Sequence, residues 1–476
     1  APTFVKEITD FVSEGQTVQV KVLSVGEDGK ISLSMKKAME TVPASGQNTQ
    51  RTRSGRKGPD HFEWSNKKNE AKWSVRTPLF VSKANNEKGI YNMILQHGTI
   101  HTMAGETIEQ GYIVIQNGVI EQVGTGDLLH VEDEDIIDLK GAHVYPGFID
   151  AHTHLGIFED GLNFEGDDCN EDTEPITPHL RAIDAINPME NCFREALEGG
   201  ITTVVTGPGS ANPISGQLAA IKTYGNCIDR MIVKAPLAIK MALGENPKSV
   251  YHDKSQTPVT RMATAALIRE QLHKAKHYLE DKKRALEDED STPPEHDLKC
   301  EALIPALEKE IQVHFHAHRA DDIFTAIRLA KEFGLDYVIV HGTEGHLIAD
   351  ELKEEQVRVL SGPFLSDRSK PELKNLTPSC PGILMKHGIQ TAIITDHPVI
   401  PLQYLTLAAG LAVREGADYD AALKAITIEP ARICGIEKQV GSIEKGKDAD
   451  LVVFEQDPLL LSAKPTMVFV NGIRRV

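Results

Sequence analysis

The chain has little of what secreted, membrane-embedded or nucleic-acid-coating proteins rely on. Its six cysteines, Cys169, Cys192, Cys227, Cys300, Cys380 and Cys434, are scattered over 476 residues without a CxxC pair. That spacing excludes a disulfide scaffold and makes a reducing cytoplasm the simplest compartment. Long apolar runs are missing: the richest stretch, 401–413, is broken by Gln403, Tyr404, Thr406 and Gly410, far short of the roughly 18 apolar residues of a membrane span. Positive charge is in deficit, 51 Lys and Arg against 69 Asp and Glu, for a formal net charge of −18. This argues against a nucleic-acid partner for the chain as a whole. The first residues carry no charged, then apolar, then small-residue leader pattern. What remains is ordinary globular material, 40% apolar and 25% charged, in a length that suggests two or three folding units.

Composition divides the chain. Residues 1–40 alternate as strands do in Thr17-Val-Gln-Val-Lys-Val-Leu23 and Lys30-Ile-Ser-Leu-Ser-Met35, across the turn 26–29. The piece resembles the C-terminal half of an S-one type RNA-binding, OB-like module, without the opening strands that carry that family's aromatic face. Residues 41–88 shift to Gln, Ser, Asn, Arg, Lys and Gly, including Arg51-Thr-Arg-Ser-Gly-Arg-Lys-Gly58, and read as a flexible basic linker. Any nucleic-acid contact falls on residues 1–60; the competing reading is a solvated tether or an accidental join.

From Tyr91 to Tyr145 the alternating runs 112–116 and 119–123, separated by Asn and Gly, predict a small antiparallel sheet. The same grammar returns at 441–454 and 467–472. A satellite β domain made of 89–146 and 436–476 is therefore expected to flank a central region, 147–435. There, short apolar runs alternate with amphipathic stretches, with strands expected at 147–151, 201–206, 217–222, 232–241, 311–316, 337–341, 357–360 and 391–395. Eight such strands predict an α/β fold, a (β/α)8 TIM barrel. The charged stretch 261–298 is too long for a simple connection and reads as a solvated helical insertion or an active-site flap.

Chemistry concentrates at predicted strand ends. Pro146-Gly-Phe-Ile-Asp-Ala-His-Thr-His154 ends an apolar strand in His-X-His, and residues two apart on a strand face one side, so His152 and His154 can bring two imidazoles to one metal. His314-Phe-His-Ala-His318 closes the fifth strand, His341 the sixth and Asp396 the eighth. A single histidine at such a place is more often a satisfied core residue. Recurrence at four strand ends points instead to a metal centre, zinc or another divalent ion.

Taken together, Pro146 to His154, Glu198-Gly-Gly-Ile-Thr-Thr-Val-Val205, the 314–318 strand end, Val338-Ile-Val-His-Gly342, Thr395-Asp-His-Pro-Val399 and the closing 441–454 stretch resemble the amidohydrolase superfamily, in its imidazolonepropionase and prolidase-like branch, over residues 89–476. The resemblance implies His152 and His154 as ligands of a buried metal, and His316 and His341 as ligands of a second metal or a shared site. Asp396 becomes both ligand and proton shuttle, and His318 a catalytic or substrate contact above the metal. His346 rivals His341, and His179, His346 and His397 are candidate substrate contacts. On the fourth strand Lys240 resembles a lysine that is carboxylated to bridge two ions. Glu245 is its rival, so one ion or two stays open. For His314 the competing reading is burial within the barrel layer, and for Gly207-Pro-Gly-Ser-Ala-Asn-Pro213 it is plain turn chemistry rather than an anion cradle.

The implied reaction is hydrolysis of a C–N bond in an amide, cyclic amide or dipeptide-like small-molecule substrate by metal-activated water, with Asp396 moving the proton. Alternatives are a one-metal aminohydrolase (deaminase), or an RNA-associated protein with an inactive barrel, suggested by the N-terminal piece and basic linker. A homo-oligomer is compatible with all three.

Overall fold

A computed structural model describes residues 21–25, 31–34, 92–126, 135–159, 163–288 and 290–476. In the N-terminal unit, β1 (Lys21–Val25) and β2 (Ile31–Ser34) pair antiparallel. The rest of the expected OB-like module and the whole of the expected linker lie outside the described residues.

The unit Val75–Val476 contains two sheets. One is drawn from both ends of the region, in the order β18 (Ile473–Arg474), β17 (Met467–Val470), β16 (Leu451–Phe454), β7 (His143–Pro146), β3 (Asn92–Ile100), β4 (Ile108–Gln116), β5 (Val119–Thr125), with β6 (Asp135–Asp138) also on β3. The β4–β5 hairpin turns on Asn117-Gly118, both at positive φ (51° and 81°), the backbone twist that a two-residue hairpin needs. The inner face packs Leu95, Ile113, Ile115, Val144, Leu451, Val453 and Phe469 into one core.

The second sheet runs β8 (Phe148–Thr153), β9 (Ile201–Thr206), β10 (Ile214–Lys222), β11 (Ile232–Ala242), β12 (Gln312–Ala317), β13 (Tyr337–His341), β14 (Val359–Ser361), β15 (Thr391–Ile393). All eight expected strands are there, but the barrel departs from the all-parallel pattern: β10 runs antiparallel to both neighbours. Its connections, 207–213 and 223–231, are too short for the dozen or more residues that a crossover between parallel strands requires. The other seven strands point one way. Strands β8, β9, β12 and β14 are buried at every residue, as expected for strands covered on both faces.

The barrel is nearly closed rather than hydrogen-bonded all round. Between β8 and β15, the carbonyls of Ala425 and Ile426 take the N–H groups of Ile393 and Ile149, so a chain segment fills the seam. Above it, the Asp150 carboxylate accepts from the Thr395 N–H (3.0 Å), the Thr395 hydroxyl (2.6 Å) and the His152 N–H (3.1 Å). The insertion contains the helix Arg261–Glu287, capped by Thr260. It buries Ile268, Leu272, Ala275 and Tyr278 in the same core as Leu303 and Ala306 of the helix Leu298–Leu307, so it is a packed helical layer. Among the described residues no helix is long and apolar enough to cross a membrane.

One ion pair ties the barrel to the satellite sheet. Lys222, at the end of β10, donates to Asp448 (2.8 Å) and Asp450 (2.5 Å), and Asp450 is only 4% exposed. Lys222→Met should leave that carboxylate buried and unpaired, costing about 3–5 kcal/mol. Urea unfolding checks this, with Lys222→Met/Asp450→Asn expected to recover part of the loss.

Candidate metal centre

Register decides which side chains meet. His316 on β12 lies level with Ala242 on β11 and Val340 on β13. His341 pairs with Ala317 and Ser361. These residues end their strands at one rim of the barrel, where the chain leaves the sheet and side chains face its mouth. There the ligand atoms of His316, His318 and His341 lie within 4.8 Å of one another, as do those of His152, His341 and Asp396. His341 belongs to both groups, so they form one continuous cluster. The Asp396 Oδ1 stands 3.4 Å from Nε2 of both His152 and His154.

Two residues of this cluster occupy the left-handed backbone region, His341 at φ 75° and Asp396 at φ 55°. Non-glycine residues rarely sit there, and such conformations persist only where the surroundings over-determine them, typically at functional sites. Both turn the chain sharply at a strand end.

The imidazoles are oriented by their other ring nitrogen. His154 Nδ1 is 2.7 Å from the Gly207 carbonyl, His341 Nδ1 is 2.8 Å from the Gly362 carbonyl, and His318 Nδ1 is 2.7 Å from the Thr343 hydroxyl. Partners of this kind fix ring orientation in metal sites. The Nδ1 atoms of His152 and His316 are buried without a hydrogen-bond partner.

Lys240, on β11, is wholly buried, and its Nζ reaches 2.9 Å from His152 Nε2. Its backbone is level with His314, one layer below the rim, and the long side chain spans the difference. Burial pushes the ammonium down to about 8 against the opposing pull of Asp396 and Cys169. Burial likewise drives His152 and His318 to about 3 and holds His316 and His341 well below the ordinary imidazole range. Burial alone would raise Asp396, but His341, His152 and His154 outweigh it and keep the carboxyl well below the carboxylate range. His154 is the exception: burial lowers it, yet Cys169 and Asp396 together lift it to about 10. Ligation needs the neutral imidazole, so ion uptake would release that proton.

The remaining candidates are not among the ligand atoms grouped at that rim. His314 is fully buried in the layer below, 3.4 Å from Gln312 Oε1. Glu245 heads the helix Glu245–Asp253 and is half-buried; its backbone N–H donates to Glu372. His346 is half-buried and bonds to the Thr343 carbonyl. His397 Nδ1 accepts from the Leu402 N–H, and the His397 carbonyl accepts from the His154 N–H. His179 is half-buried, on the segment between β8 and the helix Asn191–Glu198, with its Nδ1 unpartnered.

Sequence reasoning passed over four residues beside the cluster. Asp150 lies inside the His-X-His motif, where the strand pattern accounts for it and gives it no role of its own. Asn246 stands in the first turn of the helix Glu245–Asp253, and Lys370 and Glu372 come from the segment that follows β14: Asn246 Nδ2 is 3.4 Å from His316 Nε2, Lys370 Nζ is 2.6 Å from Asn246 Oδ1, and Glu372 Oε1 is 3.8 Å from His318 Nε2. Single polar residues outside the strands carry no periodicity that marks a site, so no sequence signal singles these three out.

Histidines and a carboxylate gathered at the mouth of an α/β barrel define a class, the barrel hydrolases that act through bound divalent ions. The chain belongs to the amidohydrolase family, whose model matches residues 143–475, enzymes that hydrolyse carbon–nitrogen bonds. It is 31% identical to the amidohydrolase tasK of Hapsidospora irregularis over 76% of this chain, although it spans only 39% of that longer protein. It is 24% identical to an imidazolonepropionase of Treponema denticola over 72% of this chain and 85% of the relative. Among solved structures, an amidohydrolase from Thermotoga maritima MSB8 shares 43% identity at a TM-score of 0.77, over 80% of this chain and 99% of that one.

The buried imidazoles set the acid response of the ion-free protein. His152, His314, His316, His318 and His341 are neutral in the fold, while in the unfolded chain a histidine protonates near pH 6.5. Below that pH the unfolded state binds more protons, so this stability is complete above about 6.5 and is lost as pH falls towards 3. Asp150, raised by burial to about 7, His154, lifted to about 10, and Glu372, raised by burial, work the other way, losing stability as pH rises, but they are three groups of this site against five. Urea midpoints at pH 7, 6 and 5 should therefore fall on acidification, more steeply than the roughly 1.4 kcal/mol per pH unit of a single group.

Proposed function

We propose that the chain hydrolyses a C–N bond of an amide, cyclic amide or dipeptide-like substrate at a two-ion centre in which Lys240 is carboxylated. The observation that carries this reading is Lys240 itself. It is a fully buried lysine beside His152, its sole hydrogen-bond partner among the described residues, and it is not paired with any carboxylate. A lysine whose pKa is lowered to about 8 offers appreciable free amine at neutral pH, the form that adds carbon dioxide. The product would be an anion amid imidazoles, replacing an awkward buried cation. Glu245 heads the helix Glu245–Asp253 with its N–H on Glu372, which supports the reading of Lys240, rather than Glu245, as the fourth-strand residue.

The donor set fits divalent ions. The unpartnered Nδ1 atoms of buried His152 and His316, the neutral imidazoles and the ionised Asp396 are the chemistry that zinc takes, with manganese, iron and cobalt as alternatives. His152, His154 and Asp396 would hold one ion and His316 and His341 the other, with Lys240 between them. Bound ions of this kind lower the pKa of water towards neutrality and polarise a carbonyl. Asp396, facing both His152 and His154, is the residue to take the proton of the attacking water and return it to the leaving nitrogen. His318, held by Thr343, faces the opened carbonyl oxygen and steadies its charge. A one-ion aminohydrolase is the second reading, since a 5-methylthioadenosine/S-adenosylhomocysteine deaminase of Bacillus cereus is 25% identical over 75% of this chain. The N-terminal hairpin keeps RNA contact by residues 1–60 as a separate reading, which would show as salt-sensitive binding.

Elemental analysis should find about two ions per chain in the wild type and about one in Lys240→Ala. Protein equilibrated with 13C-labelled carbon dioxide should show a carbamate carbon resonance that Lys240→Ala lacks. Asp396→Asn should lower kcat by about 10²–10⁴-fold. One ion in both proteins, with ammonia released from an aminated ring, would turn the assignment to the deaminase reading.

A further inference from the structure

The segment joining β14 to the helix Cys380–Lys386 runs from 362 to 379 and folds back to the barrel mouth around the short turn Pro371–Leu373. Arg368 binds the Leu376 carbonyl, and Asn375 donates to Glu344 (2.8 Å). This bracing delivers Glu372 into the interior. Glu372 is 1% exposed. Its Oε2 accepts the Glu245 N–H at 3.0 Å, while its Oε1 is buried with no hydrogen-bond partner. Of the basic side chains, His318 Nε2 stands 3.8 Å and Lys370 Nζ 4.0 Å from Oε1, both beyond hydrogen-bond reach.

A buried carboxylate oxygen without a donor is costly, by about 1–3 kcal/mol or more. Folding tolerates such an atom most readily where a ligand completes it. The oxygen lies next to His318, whose ring stacks on His341 at 4.4 Å between centroids and crosses His316 at 4.8 Å. It is thus one imidazole away from the proposed ion ligands, within a small substrate's length. Its electrostatics are acidic: the Asp322 and Glu372 carboxylates both approach Gly244, where an added Cβ would lie 3.0 Å from each. Asp322 has its own cation, Arg261 at 2.9 Å, and Lys370 is engaged by Asn246 at 2.6 Å. Glu372 is left as the carboxylate lacking a counter-charge at bonding distance, and burial together with the nearby Glu245 and Asp322 pushes its pKa up against the pull of Lys370.

We propose that Glu372 is a specificity-determining residue whose free Oε1 accepts a hydrogen bond from a primary ammonium group of the substrate. The favoured class is then small amides bearing a free amine, such as aminoacyl amides, over the same amides with the amine acylated. This rests on the hydrolase reading for the location of the substrate, but its test does not need turnover.

Calorimetric binding of leucinamide and of N-acetyl-leucinamide to the metal-supplemented full chain reads it directly. The wild type should bind the free amine about 10-fold or more tighter, the worth of one charge-assisted hydrogen bond. Glu372→Gln keeps an acceptor for the Glu245 N–H and should erase that preference while leaving the acetylated ligand's affinity unchanged. Lys370→Gln alters a side chain that is 41% exposed, with little risk to folding. It removes the competing cation and should tighten the amine by about 3-fold or more, on the scale of a partly screened charge pair. Equal affinities in the wild type, or a preference that survives Glu372→Gln because the amine binds the ions instead, would overturn the proposal. Should Glu372→Gln fail to fold, unchanged or weaker amine binding in Lys370→Gln would overturn it. Absence of hydrolysis alongside an amine preference removed by Glu372→Gln would count against the hydrolase reading only.

Discussion

The seam between β8 and β15 is where this barrel is held shut, and Asp150 is the residue that governs its upper end. One buried carboxylate binds the backbone of His152 on one side and both the backbone and hydroxyl of Thr395 on the other. Those positions precede or carry two members of the cluster, since Asp396 follows Thr395 directly. The strand ends that bring imidazole and carboxylate within 3.4 Å are therefore spaced by a side chain, not by the sheet's own ladder. Asp150 sits in surroundings that raise its pKa to about 7. Three hydrogen bonds offset part of that desolvation cost, and losing any of them would expose the remainder.

Burial supplies the rest of the chemistry. The same exclusion of water that packs Ile149, Val205, Val340 and Ile394 into the barrel interior strips protons from the imidazoles above and lowers Lys240. Low dielectric is thus both the stabilising environment of the core and the condition that makes nitrogen donors available to an ion. Backbone strain at His341 and Asp396 belongs to the same economy. It costs about 1–3 kcal/mol per residue and is tolerated because the tightly packed barrel leaves those strand ends no alternative path.

Much of the barrel could be read from the chain because its strands are short apolar runs, and runs such as 201–206 and 337–341 coincide with the observed elements. Direction could not be read. Whether β10 runs with or against its neighbours depends on how much chain connects them, and an amphipathic run reads the same either way. The Lys240 and Glu245 alternatives stayed open for a similar reason. Both lie near the end of the same apolar run in sequence, but Lys240 is within β11 and wholly buried, whereas Gly244, at φ 90°, turns the chain before Glu245.

By itself the sequence determined the barrel pattern and pointed to a metal-binding site: eight short apolar runs, four of them ending in histidine or aspartate, read as an α/β barrel with an ion site at its mouth, and it was the resemblance of the motifs around them that implied the amidohydrolase family. Strand periodicity is local, so it survives in one dimension. Only the tertiary structure decided which nitrogens and oxygens share a point in space, that the seam is bridged by Asp150, and that Glu372 reaches the barrel mouth from a loop without pattern. Those facts arise from register and loop path, which depend on contacts between residues far apart in the chain, and no local signal records them.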